Sequence, residues 1–110
     1  MSSSGYAAVR KFSRYSLDVR AKLSVDGREF TVRTVDVSEG GVGVVSPVEI
    51  PGGERLSVEL VFPTMQDVFR AELVAQSRNG FRYGFRFADL DQDNLNLLRK
   101  YQRRWGIRAK

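Results

Sequence analysis

The sequence predicts a mainly β domain, a six-stranded antiparallel barrel followed by one C-terminal α-helix. Three observations carry that reading. Apolar and polar residues alternate in several short segments, the period of a strand with one buried face. Asp26-Gly27 and Asn79-Gly80 lie between such segments, where these dipeptides mark tight hairpin turns. From Leu90 onward the apolar spacing lengthens to that of a helix.

Leu17, Val19, Ala21, Leu23 and Val25 fall on alternate positions and define the first strand. Its partner across Asp26-Gly27 runs from Arg28 to Val37, burying Phe30 and Val32. A polar turn follows, then a short third strand from Val42 to Ser46. Pro47 and the Pro51 to Gly53 run mark a loop, beyond which Leu56, Val58, Leu60 and Phe62 alternate until Pro63 stops the strand. Val68 to Ser77 and Phe81 to Phe87 form a second hairpin, with Phe81, Tyr83, Phe85 and Phe87 on one face. Six short strands with regular turns point to a closed or nearly closed barrel. Leu90, Asn94, Leu97, Leu98, Tyr101 and Trp105 then repeat at helical spacing, after Asp89, Asp91 and Asp93 and before Gly106. The acids lie near the positive end of the helix macrodipole and Arg103 and Arg104 near the other, which gives much of the C-terminal charge a structural reason.

A length of 110 residues makes one domain, and 42% hydrophobic content is enough for one core. The expected layout is a tail at 1–8, one domain at 9–105 (arm 9–15, barrel 16–88, helix 90–105) and a tail at 106–110. With no Cys and no His, disulfides, thiolate chemistry and the commonest metal ligand and general base are absent, so no catalytic or metal-binding residue is nominated. Neither a secretory signal nor an apolar run of about 20 residues is seen, and the default is a soluble cytoplasmic protein without membrane insertion. The net charge of +5 favours an anionic partner, and cations crowd at both ends: Arg10, Lys11 and Arg14, then Arg99 to Lys110.

Two short stretches carry chemistry. In Asp36 to Val44, the carboxylate of Asp36 and the hydroxyl of Ser38 lie two apart, so they project to one side of an extended segment, while Gly40 and Gly41 permit positive φ and close approach to the backbone. A carboxylate can accept the paired N–H donors of guanine, and the purine's O6 and N7 suit an arginine fork. The same residues also fit a hairpin turn whose Asp and Ser satisfy local backbone groups. Arg10 and Arg14 are four apart and span up to ~13 Å in an extended arm, enough to grip two phosphates, or a phosphate and a base edge, by bidentate bonds. Read alone they also fit a solvated basic arm.

Arg10 and Arg14 as R-x-x-x-R, then Asp36, Ser38 and Gly41 as D-x-S-x-x-G, resemble the PilZ domain family. The resemblance covers about residues 9 to 105 and includes a "YGFRF" strand at Tyr83 to Phe87 and a closing helix. It implies a PilZ-type barrel, a receptor for the bacterial second messenger cyclic di-GMP, and no enzymatic activity or cofactor. Carried over by position, Arg10 and Arg14 would contact phosphates and guanine edges, Asp36 and Ser38 would hold a guanine, and Gly41 would keep the turn open. Gly40 and Lys11 are secondary candidates. Val9 occupies the position where a cation favours a stacked ligand pair in this family, so one ligand per chain is expected. The chain would signal through a downstream protein partner. Two rivals remain: a nucleotide-independent adaptor of the same family, and a general nucleic-acid binder, against which the aromatics alternate as core residues do.

Overall fold

The computed structural model describes residues 12–109. Along these residues run β1 (Tyr15–Ser16), β2 (Arg20–Val25), β3 (Arg28–Val37), β4 (Gly41–Val45), β5 (Leu56–Val61), β6 (Val68–Asn79), β7 (Arg82–Asp89) and α1 (Gln92–Trp105). Hydrogen bonding runs in the order β3-β2-β5-β6-β7-β4, and β4 pairs back onto β3. The antiparallel six-stranded barrel is therefore closed, which leaves no long edge exposed. Asp26 and Gly27 both adopt positive φ, 48° and 87°, the geometry of the two-residue turn read from their sequence.

The short β1 pairs with Val37 and Asp36 on the edge of β3 that β2 occupies further along. Between them the chain leaves the ladder around Asp18, and Thr34 fills the gap. Its buried hydroxyl donates to the Leu17 carbonyl at 2.7 Å and accepts from the Val19 amide at 2.9 Å. Two backbone groups that lack a ladder partner are thereby satisfied.

Alternation places Leu23, Val25, Val32, Val44, Val58, Leu60 and Phe69 inside. Phe62 meets Phe69 edge-on at 5.2 Å and stacks on Tyr101 of α1 at 4.8 Å, so one aromatic cluster joins barrel and helix. Burying each large apolar side chain stabilises the fold by about 1.5–3 kcal/mol. The helix starts at Asp91, whose side chain accepts from the Asn94 amide at 2.8 Å. That bond holds the Asp91 carboxyl below its ordinary acidity range. Asn94 in turn accepts from the Arg70 amide of β6, and the Tyr101 hydroxyl donates to the Ser16 carbonyl of β1. Leu98 and Tyr101 are the buried residues of the helical stripe, whereas Trp105 remains 48% exposed beyond the barrel rim. Phe81 also departs from expectation: it is 59% exposed, because the hairpin tip projects past the core that holds Tyr83, Phe85 and Phe87.

Candidate functional site

A cleft of about 350 Å³ opens on the outer wall of the barrel, where β3, β4, β7 and β6 lie side by side. Its floor is set by register. Asp36 pairs with Gly43, Gly43 with Gly84, and Gly84 with Ser77, so these four residues form a row across four strands. Residues directly opposite in a sheet share a face. The two glycines supply no side chains, leaving a trough between Asp36 and Ser77. A Cβ on Gly43 would lie 2.7 Å from an Asp36 carboxylate oxygen, and one on Gly84 would lie 2.5 Å from the Ser77 hydroxyl.

Two β-bulges aim these side chains outward. Thr34 and Val37 are three apart and both buried, so Val35 is an extra residue and the parity of β3 changes before Asp36. Gln76 is likewise extra between Ala75 and Ser77, and it lines the cleft. Without the first bulge, Asp36 would continue the inward set with Val32 and Thr34.

Asp36 is only 5% exposed although it lies on the outer wall, because cations cover it. Arg14 approaches it at 4.0 Å and Arg82 at 3.5 Å. Ser38 closes the following turn: its side-chain oxygen accepts from the amides of Gly40 and Gly41 at 3.0 and 3.2 Å, and its own amide donates to the Gly41 carbonyl at 2.9 Å. Both side-chain bonds use the oxygen as acceptor, so the hydroxyl proton can be donated to a group in the cleft. Glu39 points the other way and makes a bidentate pair with Arg99 of α1, both bonds 3.0 Å. That pairing raises the Arg99 pKa further, through its hydrogen bond first and its Coulombic attraction second.

The glycines of the turn are required for a different reason from the one their sequence implies. Neither Gly40 nor Gly41 has a positive φ. A Cβ on Gly41 would lie 2.1 Å from the Phe85 carbonyl of β7, and one on Gly40 would lie 3.0 Å from the Phe12 ring. What approaches them closely is the neighbouring strand and an aromatic ring.

Of the residues nominated from sequence, Arg14, Asp36, Ser38, Gly40 and Gly41 all line this one cleft. Val9, Arg10 and Lys11 lie outside the described residues. The sequence reading missed Arg82, Arg86, Gln76, Ser77 and the two trough glycines. A signal for three of them was present in "RYGFRF": the positions between the inward aromatics are Arg82, Gly84 and Arg86, and the same alternation that buries one set turns the other toward the cleft. Arginines, a carboxylate and a hydroxyl around a shallow trough supply donors and an acceptor that can hydrogen-bond a flat, polar, anionic group. No helix among the described residues is long and apolar enough to cross a membrane.

The fold is that of a small closed antiparallel β-barrel with a C-terminal helix and a cleft on its outer wall. A family model for the PilZ domain matches residues 8–103, nearly the whole chain, and the protein belongs to the PilZ domain family. Among solved structures, the inhibitor of motility of Bacillus subtilis (MotI/DgrA) is similar with a TM-score of 0.65 and 18% identity over 86% of this chain. The match covers 50% of that protein, so this chain spans half its length. The PilZ domain of YcgR from Escherichia coli, a structure with c-di-GMP, is similar with a TM-score of 0.53 and 20% identity, over 86% of this chain and 95% of that one. No curated protein matches the sequence.

Proposed function

We propose that this protein is a cyclic di-GMP receptor. The observation that carries the reading is the convergence of Arg14 on Asp36, with Ser38 beside them, in one cleft built from both motifs of the family. The structural neighbour from Escherichia coli, a PilZ domain with c-di-GMP, supports it.

In this reading the Asp36 carboxylate accepts the paired N–H donors of a guanine edge, and the Ser38 hydroxyl donates to the same nucleotide. Arg14 turns from the carboxylate to phosphate oxygens and the purine O6 and N7 as the ligand enters, and Arg10, four positions earlier in sequence, supplies a second guanidinium to the same ligand. Arg82 and Arg86 stay on the wall and offset the negative charge that arrives. The arm thus closes over the nucleotide and creates a surface that neither the protein nor the ligand presents alone. A downstream protein that binds this surface is favoured by the ligand through linkage. With Val9 ahead of the first motif arginine, one ligand binds per chain. A cytoplasmic location follows from an intracellular messenger.

The test is a titration of the chain with cyclic di-GMP, GTP, cyclic di-AMP and a single-stranded oligonucleotide, followed calorimetrically. Binding to the first alone, with stoichiometry near one, is expected. Binding to none would make the chain an adaptor that works without nucleotide, and a ratio near two would reject the single-ligand reading.

A further inference from the structure

The segment after α1, expected from sequence to be a tail, runs antiparallel beside the arginine arm. The Ser16 amide donates to the Ile107 carbonyl at 2.7 Å, the Ala109 amide donates to the Arg14 carbonyl at 2.9 Å, and Tyr15 faces Arg108 in the resulting bridge. On its opposite edge the same stretch pairs with β3, Tyr15 with Val37 and Ser16 with Asp36. The chain around Arg14 is therefore held from two sides, by the strand that carries Asp36 and by residues more than ninety positions later.

Gly106 permits this return. It leaves the helix with φ −70° and ψ 136°. A Cβ there would lie 2.6 Å from the Gln102 carbonyl and 2.7 Å from the Tyr15 ring, so any larger residue would push the segment off β1. Tyr101 strengthens the same junction, donating to the Ser16 carbonyl from within the helix.

We infer that residues 106–109 are a positioning strand for the ligand site: by binding the main chain of Arg14 they fix where its guanidinium meets Asp36 and the incoming nucleotide. The inference rests on the cyclic di-GMP reading and adds to it residues that belong to neither family motif. An arm held at Arg14 loses less conformational freedom on closing, and a site whose arginine is already in place binds more tightly. Because linkage is reciprocal, ligand binding must also tighten the pairing between the arm and the C-terminal segment.

Ala109→Pro removes the one amide that bonds the Arg14 carbonyl, and the proline keeps the preceding residue extended as the bridge requires. In the full chain it is expected to weaken cyclic di-GMP about tenfold, to speed amide exchange at Ser16, and to leave the thermal unfolding of the barrel unchanged. Arg108→Ala, which removes a charge and keeps both backbone bonds, is expected to bind like the parent. The deciding readout is a double-mutant cycle: in an Arg14→Ala background, Ala109→Pro should cost almost nothing, because the strand acts through Arg14. Parent affinity in Ala109→Pro, an equal loss in both backgrounds, or an equal loss from Arg108→Ala would each overturn the inference while leaving the receptor reading intact. A parent chain that does not bind cyclic di-GMP would overturn the reading itself, and the inference with it.

Discussion

Asp36 is nearly enclosed, whereas its partners Arg14 and Arg82 are half exposed, so the ion pairs orient the carboxylate more than they stabilise the fold. Asp36→Ala should therefore lower cyclic di-GMP affinity by about ten- to hundredfold, the worth of one or two charge-assisted bonds, while thermal unfolding shifts by only a few degrees. Calorimetry beside a melting curve checks this, and an unchanged affinity in the folded variant would remove Asp36 from the site. Gly41 and Gly40 offer a second contrast. Gly41→Ala drives a Cβ into the backbone carbonyl of Phe85, and since neither β4 nor β7 can yield without breaking their ladder, it should cost about 1–3 kcal/mol in urea unfolding. Gly40→Ala presses on the Phe12 ring, which can turn aside, and meets the Ser38 hydroxyl only at ordinary contact distance, so it should cost well under half as much. Equal costs would show that the backbone contact is not what requires Gly41. The nominated residues were readable because Asp36, Ser38 and Gly41 form a local motif. Arg82 and Arg86 belong to no such motif and are placed only by the alternation that buries Tyr83, Phe85 and Phe87.

At the level of elements, the hairpins, the six barrel strands and the helix were legible because each has a local signal, Asp26-Gly27 for one turn, period two for β5, the acidic start and apolar stripe for α1, whereas the two-residue β1 and the segment that returns beside it have none. The bulges were not legible. One inserted residue shifts parity without changing composition, and a pattern count over β3 averages across Val35. Nor could the pairing of Glu39 with Arg99, sixty residues apart, be read from a single sequence. Thr34 shows what such long-range contacts hold together. Thr34→Val keeps the volume but strips the Leu17 carbonyl and the Val19 amide of their partner, and two such groups cost roughly 2–4 kcal/mol when left unpaired. Chemical denaturation should show a loss of that size, and amides of β1 should exchange faster than those of β5. A loss below about 1 kcal/mol would mean that water replaces the hydroxyl there.

For the whole molecule the issue is whether the net charge of +5 serves a small ligand or a polymer. Two groups among the described cations bear on the choice. Arg14, Arg82 and Arg86 surround the cleft, whereas Lys100, Arg103, Arg104 and Arg108 are exposed along the end of α1 and the strand after it. A cyclic dinucleotide presents two phosphates, so counterion release on binding is small: raising salt from 50 to 200 mM should weaken it less than about tenfold, against 10³–10⁵ for a polymer gripped through 6–10 phosphates. On the cyclic di-GMP reading the ligand touches only the cleft, so Arg103→Ala and Arg104→Ala should leave both affinity and salt slope unchanged, while Arg86→Ala should reduce both. A salt slope of polymer size, flattened by removing the helix cations and indifferent to Arg86, would instead assign the charge to nucleic acid and leave the cleft without its ligand.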